Sequence, residues 1–168
     1  MLFRSENEGN LTACDLHASK LSLVRSGAER LGVTCLSVLE KDARAEASEW
    51  LDESGDGVFD RILCDVPCSG FGVIGKKPEL RYKDPRESEA LPQIQEAILA
   101  RSATFLKTGG RLVYSTCTIL PKENEDVVRR FLEEHAGYRL VRQTTLYPHT
   151  HETDGFFIAV IEKTKAER

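Results

Sequence analysis

Apolar positions along the chain recur with two periods. In "HASKLSLVRSGAERLG", Leu21, Val24, Ala28 and Leu31 are three and four residues apart, the spacing of one helix face, and Gly32 ends the run. On either side, "NLTACD" and "TCLSVL" are short apolar and β-branched runs that predict strands, one ending at Asp15 and the other leading to Asp42. "ARAEASEWLDES" predicts a short helix. "FDRILCD" predicts a buried strand that stops at Asp65, and a Gly/Pro loop runs from Val66 to near Asp84. "ESEALPQIQEAILARSATFLK" then predicts a helix of about five turns, with Pro92 near its start and Gly109 and Gly110 as C-cap residues. "RLVYSTC" reads as a second buried strand. "PKENEDVVRRFLEEH" reads as a helix with Pro121 in its first turn and Val127, Val128, Phe131 and Leu132 toward the core. "YRLVRQTTLYP" and "GFFIAVIEK" are strand-like with only a loop between them.

Alternating strands and helices predict an α/β domain over residues 1–168, with a mostly parallel sheet and helices on both faces. The last two strands, lacking a helix between them, predict an antiparallel hairpin at one edge. In such sheets ligands bind beyond the carboxyl ends of the strands. Asp15, Asp42, Asp65 and Cys117 each fall at or near the end of a predicted strand, and four such placements point to one site.

Composition narrows the chemistry. At 168 residues, 40% hydrophobic and 30% charged, the chain suits one globular domain. No apolar run reaches membrane-spanning length and "MLFRSENEGN" has no apolar signal core, so the expected location is the cytoplasm. The five cysteines are odd in number and none forms a CxxC pair, which disfavours a disulfide scaffold or a zinc ribbon. Cys14, Cys35 and Cys64, inside strands, read as small buried hydrophobes. His149 and His151 lie in "PHTHETDG", which reads as a solvated loop sooner than a metal site, and no metal is expected. The net charge of −4 does not attract nucleic acid as a whole. The loop "GKKPELRYKDPRE" is locally basic, with Lys76, Lys77, Arg81, Lys83 and Arg86 around Tyr82. It reads either as a solvated loop or as a surface for phosphate and a stacked base.

Asp15 suits contact with a cofactor ribose or a helix N-cap, and the two roles are compatible. Asp42 reads as a cap too. Cys68 and Cys117 follow strands, where carboxylates or a helix N-terminus tune a thiol, and each reads otherwise as a small buried hydrophobe.

"DVPCSGFGVIGKKPELRY" followed by "RLVYSTCTILPKENEDVV" resembles the RNA cytosine-5 methyltransferases of the NOL1/NOP2/Sun family, in particular the bacterial Sun/RsmB type that modifies small-subunit ribosomal RNA. The likeness runs from about Asn10 to Glu162, and "DGFFIAVIEK" is similar to the family's closing strand. The resemblance implies a Rossmann-like fold that binds S-adenosylmethionine. It implies Cys117 as the nucleophile toward C6 of a cytosine, since a covalent adduct makes C5 nucleophilic. It implies that Asp65 bonds the base near N3, a role that favours its protonated form. Cys68 would release the product, Asp15, Asp42 and Asp65 would hold cofactor, and Pro67, Lys76, Lys77 and Arg81 would face RNA. The cytosine would have to be unstacked. A DNA cytosine methyltransferase would place its nucleophile at Cys68, and the Ser-Thr-Cys-Thr motif at Cys117 argues for the RNA family. A redox dithiol or a non-catalytic RNA-binding remnant are the other readings.

The family's Gly-rich cofactor loop and upstream RNA-binding region have no counterpart in these residues. The expectation is an N-terminally truncated fold, with a gap beside the Asp65 strand, weak cofactor affinity in the monomer, and a second chain able to complete the sheet.

Overall fold

The computed structural model describes residues 6–165. They form two compact units, Met1–Ala45 and Glu46–Arg168.

In the first unit, β1 (Leu11–Asp15), α1 (Ala18–Arg30) and β2 (Leu36–Glu40) make one βαβ crossover. β1 and β2 pair in parallel, from Leu11 opposite Leu36 to Asp15 opposite Glu40. The start of α1 has no side-chain cap from His17. Instead Asp15 Oδ1 accepts the His17 N–H at 2.9 Å. At its end Gly32 adopts φ +67°, and the Val33 N–H donates to the Ala28 carbonyl at 2.8 Å, closing the last turn as glycine allows. Of the predicted apolar face, Leu21 and Ala28 are buried while Val24 and Leu31 are exposed.

The second unit contains β3 (Phe59–Asp65), α2 (Leu91–Thr104), β4 (Leu106–Thr116), α3 (Glu125–Glu134), β5 (Tyr138–Leu146), α4 (Pro148–His151) and β6 (Phe156–Lys163). Its sheet has the order β3-β4-β6-β5. β3 and β4 are parallel, whereas β6 is antiparallel to both β4 and β5. The predicted antiparallel terminal pair is present, with β5 on the edge, but the short helix α4 stands between its strands where only a loop was expected. β3 is the opposite edge, with no second ladder among the described residues, and Leu63 on it is 57% exposed.

The core lies on one face of this sheet. Leu112 and Tyr114 of β4 and Phe157, Ala159 and Ile161 of β6 alternate along their strands and meet Leu99 and Ala103 of α2 and Val127, Val128 and Phe131 of α3. Within this unit both long helices therefore join the same core, although strand–helix alternation predicts a helix layer on each face. Each fully buried leucine contributes about 2 kcal/mol by removal from water.

Four local expectations are corrected. "ARAEASEWLDES" forms only a 3₁₀ turn at Ser48–Trp50, because Asp52 Oδ1 takes the N–H groups of Ser54 and Asp56 and turns the chain. The helix after the long loop is shorter than five turns. It stops at Thr104, where Phe105 packs edge-on against Trp50, and Leu106 starts β4. Gly109, at φ +81°, and Gly110 thus lie within β4 and cap nothing. Pro121 opens a separate 3₁₀ turn, Pro121–Glu123, ahead of α3.

Candidate active site

The register of β3 and β4 places Asp65 opposite Ser115, so both strands end side by side. The two cysteine turns continue from those ends. Cys68 Sγ and Cys117 Sγ are 3.2 Å apart, and either can donate to the other. Asp65 is exposed at the strand end, and Ser115 Oγ donates to its Oδ1 at 3.3 Å. The structure thus brings together Asp65, Cys68 and Cys117, the three residues assigned to chemistry from the sequence.

The two thiols are not equivalent. Burial, with the Cys117 sulphur beside it, pushes Cys68 up to about 12, against opposing contributions from the backbone at Gly70 and Cys117. At neutral pH Cys68 keeps its proton. Cys64, inside β3, is buried and pushed up to about 11 by desolvation, as the reading of a small buried hydrophobe predicts, whereas Cys14 is exposed and Cys35 half-buried, against that reading.

Three loops meet tightly at this end of the sheet. The Gly72 N–H donates to the Cys117 carbonyl at 3.0 Å, and the Gly155 N–H donates to the Gly72 carbonyl at 2.8 Å. A Cβ on Gly72 would lie 2.0 Å from the Gly155 oxygen and 2.8 Å from the Cys117 oxygen. Only glycine permits this approach of backbone to backbone.

Sequence reasoning missed a buried polar group behind the cysteines. Glu123 is fully buried; its Oε2 accepts from the Ser69 N–H at 2.9 Å and from Gln95 Nε2 at 3.0 Å. Gln95 Nε2 also donates to the Pro67 carbonyl at 2.8 Å. Asn124 Nδ2 donates to the Thr118 carbonyl at 3.0 Å, while Thr116 Oγ1 donates to Asn124 Oδ1 at 2.6 Å. The one signal in the sequence is a glutamine at a position of α2 that faces the core, since "PKEN" reads simply as a helix start.

The basic loop is partly self-neutralised. Lys76 pairs with Asp154 at 2.6 Å, and the Arg86 guanidinium grips both carboxylate oxygens of Asp84, which also caps the 3₁₀ turn at Pro85–Ser88. Lys77 and Arg81 are exposed and Tyr82 is 90% exposed. Lys83 is half-buried and its ammonium reaches the Ser69 carbonyl at 3.4 Å. Pro67 is exposed, between Asp65 and Cys68.

Asp15 and Asp42 belong to the first unit. Asp15 sits at the carboxyl end of β1, 3.7 Å from Lys20, and Asp42 is gripped by Arg44 through both carboxylate oxygens. That guanidinium and the Arg44 N–H hold the Asp42 carboxyl at about 2. The donor set suits the hydroxyls of a ribose at Asp15 better than at Asp42, where Arg44 takes both oxygens. Among the described residues no cluster of three or more metal-ligating side chains occurs, and no helix is long and apolar enough to cross a membrane.

Residues 2–162 match the protein family described as 16S rRNA methyltransferase RsmB/F. "Probable ribosomal RNA small subunit methyltransferase B" of Bacillus subtilis is 40% identical, over 94% of this chain and 38% of that protein. Its counterpart of the same name in Synechocystis is 35% identical over the same shares. The crystal structure of NSun6 from Pyrococcus horikoshii with SFG superimposes with a TM-score of 0.82 at 31% identity, covering 98% of this chain and 44% of that one. The chain spans about two fifths of the length of these relatives.

Proposed function

Because this chain belongs to the 16S rRNA methyltransferase RsmB/F family and has the Rossmann-like fold of its methyltransferase neighbours, we propose that it carries the thiol chemistry for methylating C5 of a cytosine in RNA, ribosomal RNA by family. The observation that supports this reading most is the pair of sulphurs 3.2 Å apart beside Asp65. One cysteine alone serves addition; a second one, held protonated at its side, serves the departure of the product.

Cys117 Sγ, as thiolate, forms a bond to C6, and the electron pair of the C5–C6 double bond moves toward C5 and N3. A proton lent to N3 by the Asp65 carboxyl returns to it when the S–C6 bond breaks. S-adenosylmethionine supplies the methyl group for C5 when bound. A base then removes the C5 proton, the C5–C6 double bond re-forms, and the S–C6 bond breaks to return the Cys117 thiolate. Cys68 suits this last role for an electrostatic reason. Burial raises it first, but the neighbouring Cys117 sulphur raises it too. Once Cys117 is bonded to C6 it carries no charge, that repulsion ends, and Cys68 gives up its proton to water more readily, leaving a thiolate that takes the C5 proton. Lys77 and Arg81 would meet RNA phosphates and Tyr82 would stack on a base, with Pro67 and Lys76 at the margin. Within the first unit, Asp15 is the proposed ligand of the cofactor ribose.

The test is covalent capture of RNA that carries 5-azacytosine, read as a band that survives denaturing electrophoresis. Wild type forms it and Cys117→Ser does not. Cys68→Ala accumulates adduct on cytosine RNA. RNA binding with no adduct in any variant would reduce the chain to a binding remnant and overturn the reading.

A further inference from the structure

The residues flanking both sulphurs are held by two consecutive residues, Glu123 and Asn124, together with Gln95. On the Cys68 side, Glu123 Oε2 takes the N–H of Ser69, the next residue, and Gln95 takes the carbonyl of Pro67, the preceding one, while also bonding to Glu123. On the Cys117 side, Asn124 takes the hydroxyl of Thr116 and the carbonyl of Thr118, the two neighbours of that cysteine. A bond between Ser69 Oγ and Thr118 Oγ1 at 2.9 Å joins the two turns directly. Tyr114 OH donates to the Glu123 carbonyl at 2.6 Å, which fixes the clamp to the centre of β4.

We propose that Glu123, Gln95 and Asn124 are positioning residues that set the separation and direction of the Cys68 and Cys117 sulphurs, and so the efficiency of both thiol steps. The significance for catalysis rests on the function proposed above. Simple fold stability does not account for the arrangement. Glu123 and Gln95 are fully buried, and among the described residues Glu123 Oε1 and Gln95 Oε1 have no hydrogen-bond partner. Polar groups buried at that cost hold a fold less well than an apolar pair of the same shape. An apolar pair could not grip the Ser69 N–H and the Pro67 carbonyl on either side of one cysteine. Buried, mutually bonded polar groups give direction, and a buried polar network locks a geometry more sharply than packing does.

The experiment uses the full chain with Cys14 and Cys35 replaced by Ser, so that Cys68 and Cys117 are its accessible thiol pair. Dibromobimane becomes fluorescent when it bridges two thiols close together, and its rate reports their geometry without RNA or cofactor. Circular dichroism and thermal melting follow the fold. In Glu123→Leu we expect a folded protein whose bridging rate falls at least about tenfold, with Glu123→Gln recovering to within about threefold, because it keeps an oxygen for the Ser69 N–H. 5-Azacytosine adduct formation falls in parallel while RNA affinity stays unchanged. A folded Glu123→Leu that bridges at the wild-type rate overturns the inference. If that variant does not fold, Gln95→Met and Asn124→Leu decide by the same criterion. An adduct that still forms in Cys117→Ser overturns the functional reading but leaves the bridging result to judge the clamp.

Discussion

At the scale of single residues, this site is governed by how closely atoms are allowed to approach. Gly72 sits where its backbone touches those of Cys117 and Gly155, and a methyl group there would stand 2.0 Å from a carbonyl oxygen that cannot rotate away. Gly72→Ala is expected to destabilise the chain by roughly 3 kcal/mol, and to cut thiol bridging in whatever remains folded. Urea unfolding measures the first and dibromobimane the second; a variant unchanged in both would show that the three loops part easily. Cys68 offers a different test. Two of the influences that raise it come from Cys117, and the largest, burial, does not. In Cys117→Ala, iodoacetamide should therefore modify Cys68 faster at pH 8 than in wild type, yet still more slowly than exposed Cys14. Peptide mass spectrometry at timed intervals reads both rates. An unchanged Cys68 rate would mean that burial alone holds its proton.

Secondary-structure elements were legible in the sequence where period and punctuation agreed. The strands of "FDRILCD", "RLVYSTC" and "GFFIAVIEK" and the helix ended by Gly32 follow from their patterns. Elements whose limits depend on distant contacts were not. Nothing local says that α2 stops at Thr104, because the stop comes from Phe105 meeting Trp50, 55 residues away in sequence. The same holds for the site. Asp65, Cys68 and Cys117 stand at strand ends and could be named from motif and position, whereas Glu123, Gln95 and Asn124 act through hydrogen bonds that link residues up to 54 apart. Within β3, the Cys64 thiol gives a pH dependence. Its folded value of about 11 lies above the value of 9.0 for a solvated thiol, so between these the unfolded chain loses the proton first. Stability is then fully present below pH 9 and falls as pH rises toward 11. The thiol's share of the loss at pH 11 is roughly 2 kcal/mol. Cys64→Val should remove that share, seen as a smaller drop in urea-unfolding free energy between pH 8 and 11. An identical drop in both proteins would show that Cys64 ionises as easily folded as unfolded.

At the scale of the whole molecule, the two edges of the four-stranded sheet differ. β5 carries Arg139 and Arg142 on its exposed positions, and Arg139 pairs with Glu162 at 2.7 Å, so charge discourages a further strand. β3 has no such protection at its middle, where Leu63 is exposed and the outer backbone groups have no ladder among the described residues. This is the edge beside Asp65 where the sequence led us to expect a gap. An edge of that kind takes a strand from whatever source is near, whether a longer polypeptide or a second copy. For the 168-residue chain alone the available source is another copy, and association through the edge depends on concentration. Sedimentation velocity over about a hundredfold range of concentration should therefore show reversible self-association. Leu63→Lys should shift it toward monomer, since a charge on the edge both repels and keeps its water. Leu140→Lys, on the edge already guarded by arginines, should leave the distribution as in wild type. A chain that stays monomeric throughout, or one whose association ignores Leu63, would show that the β3 edge does not recruit a strand.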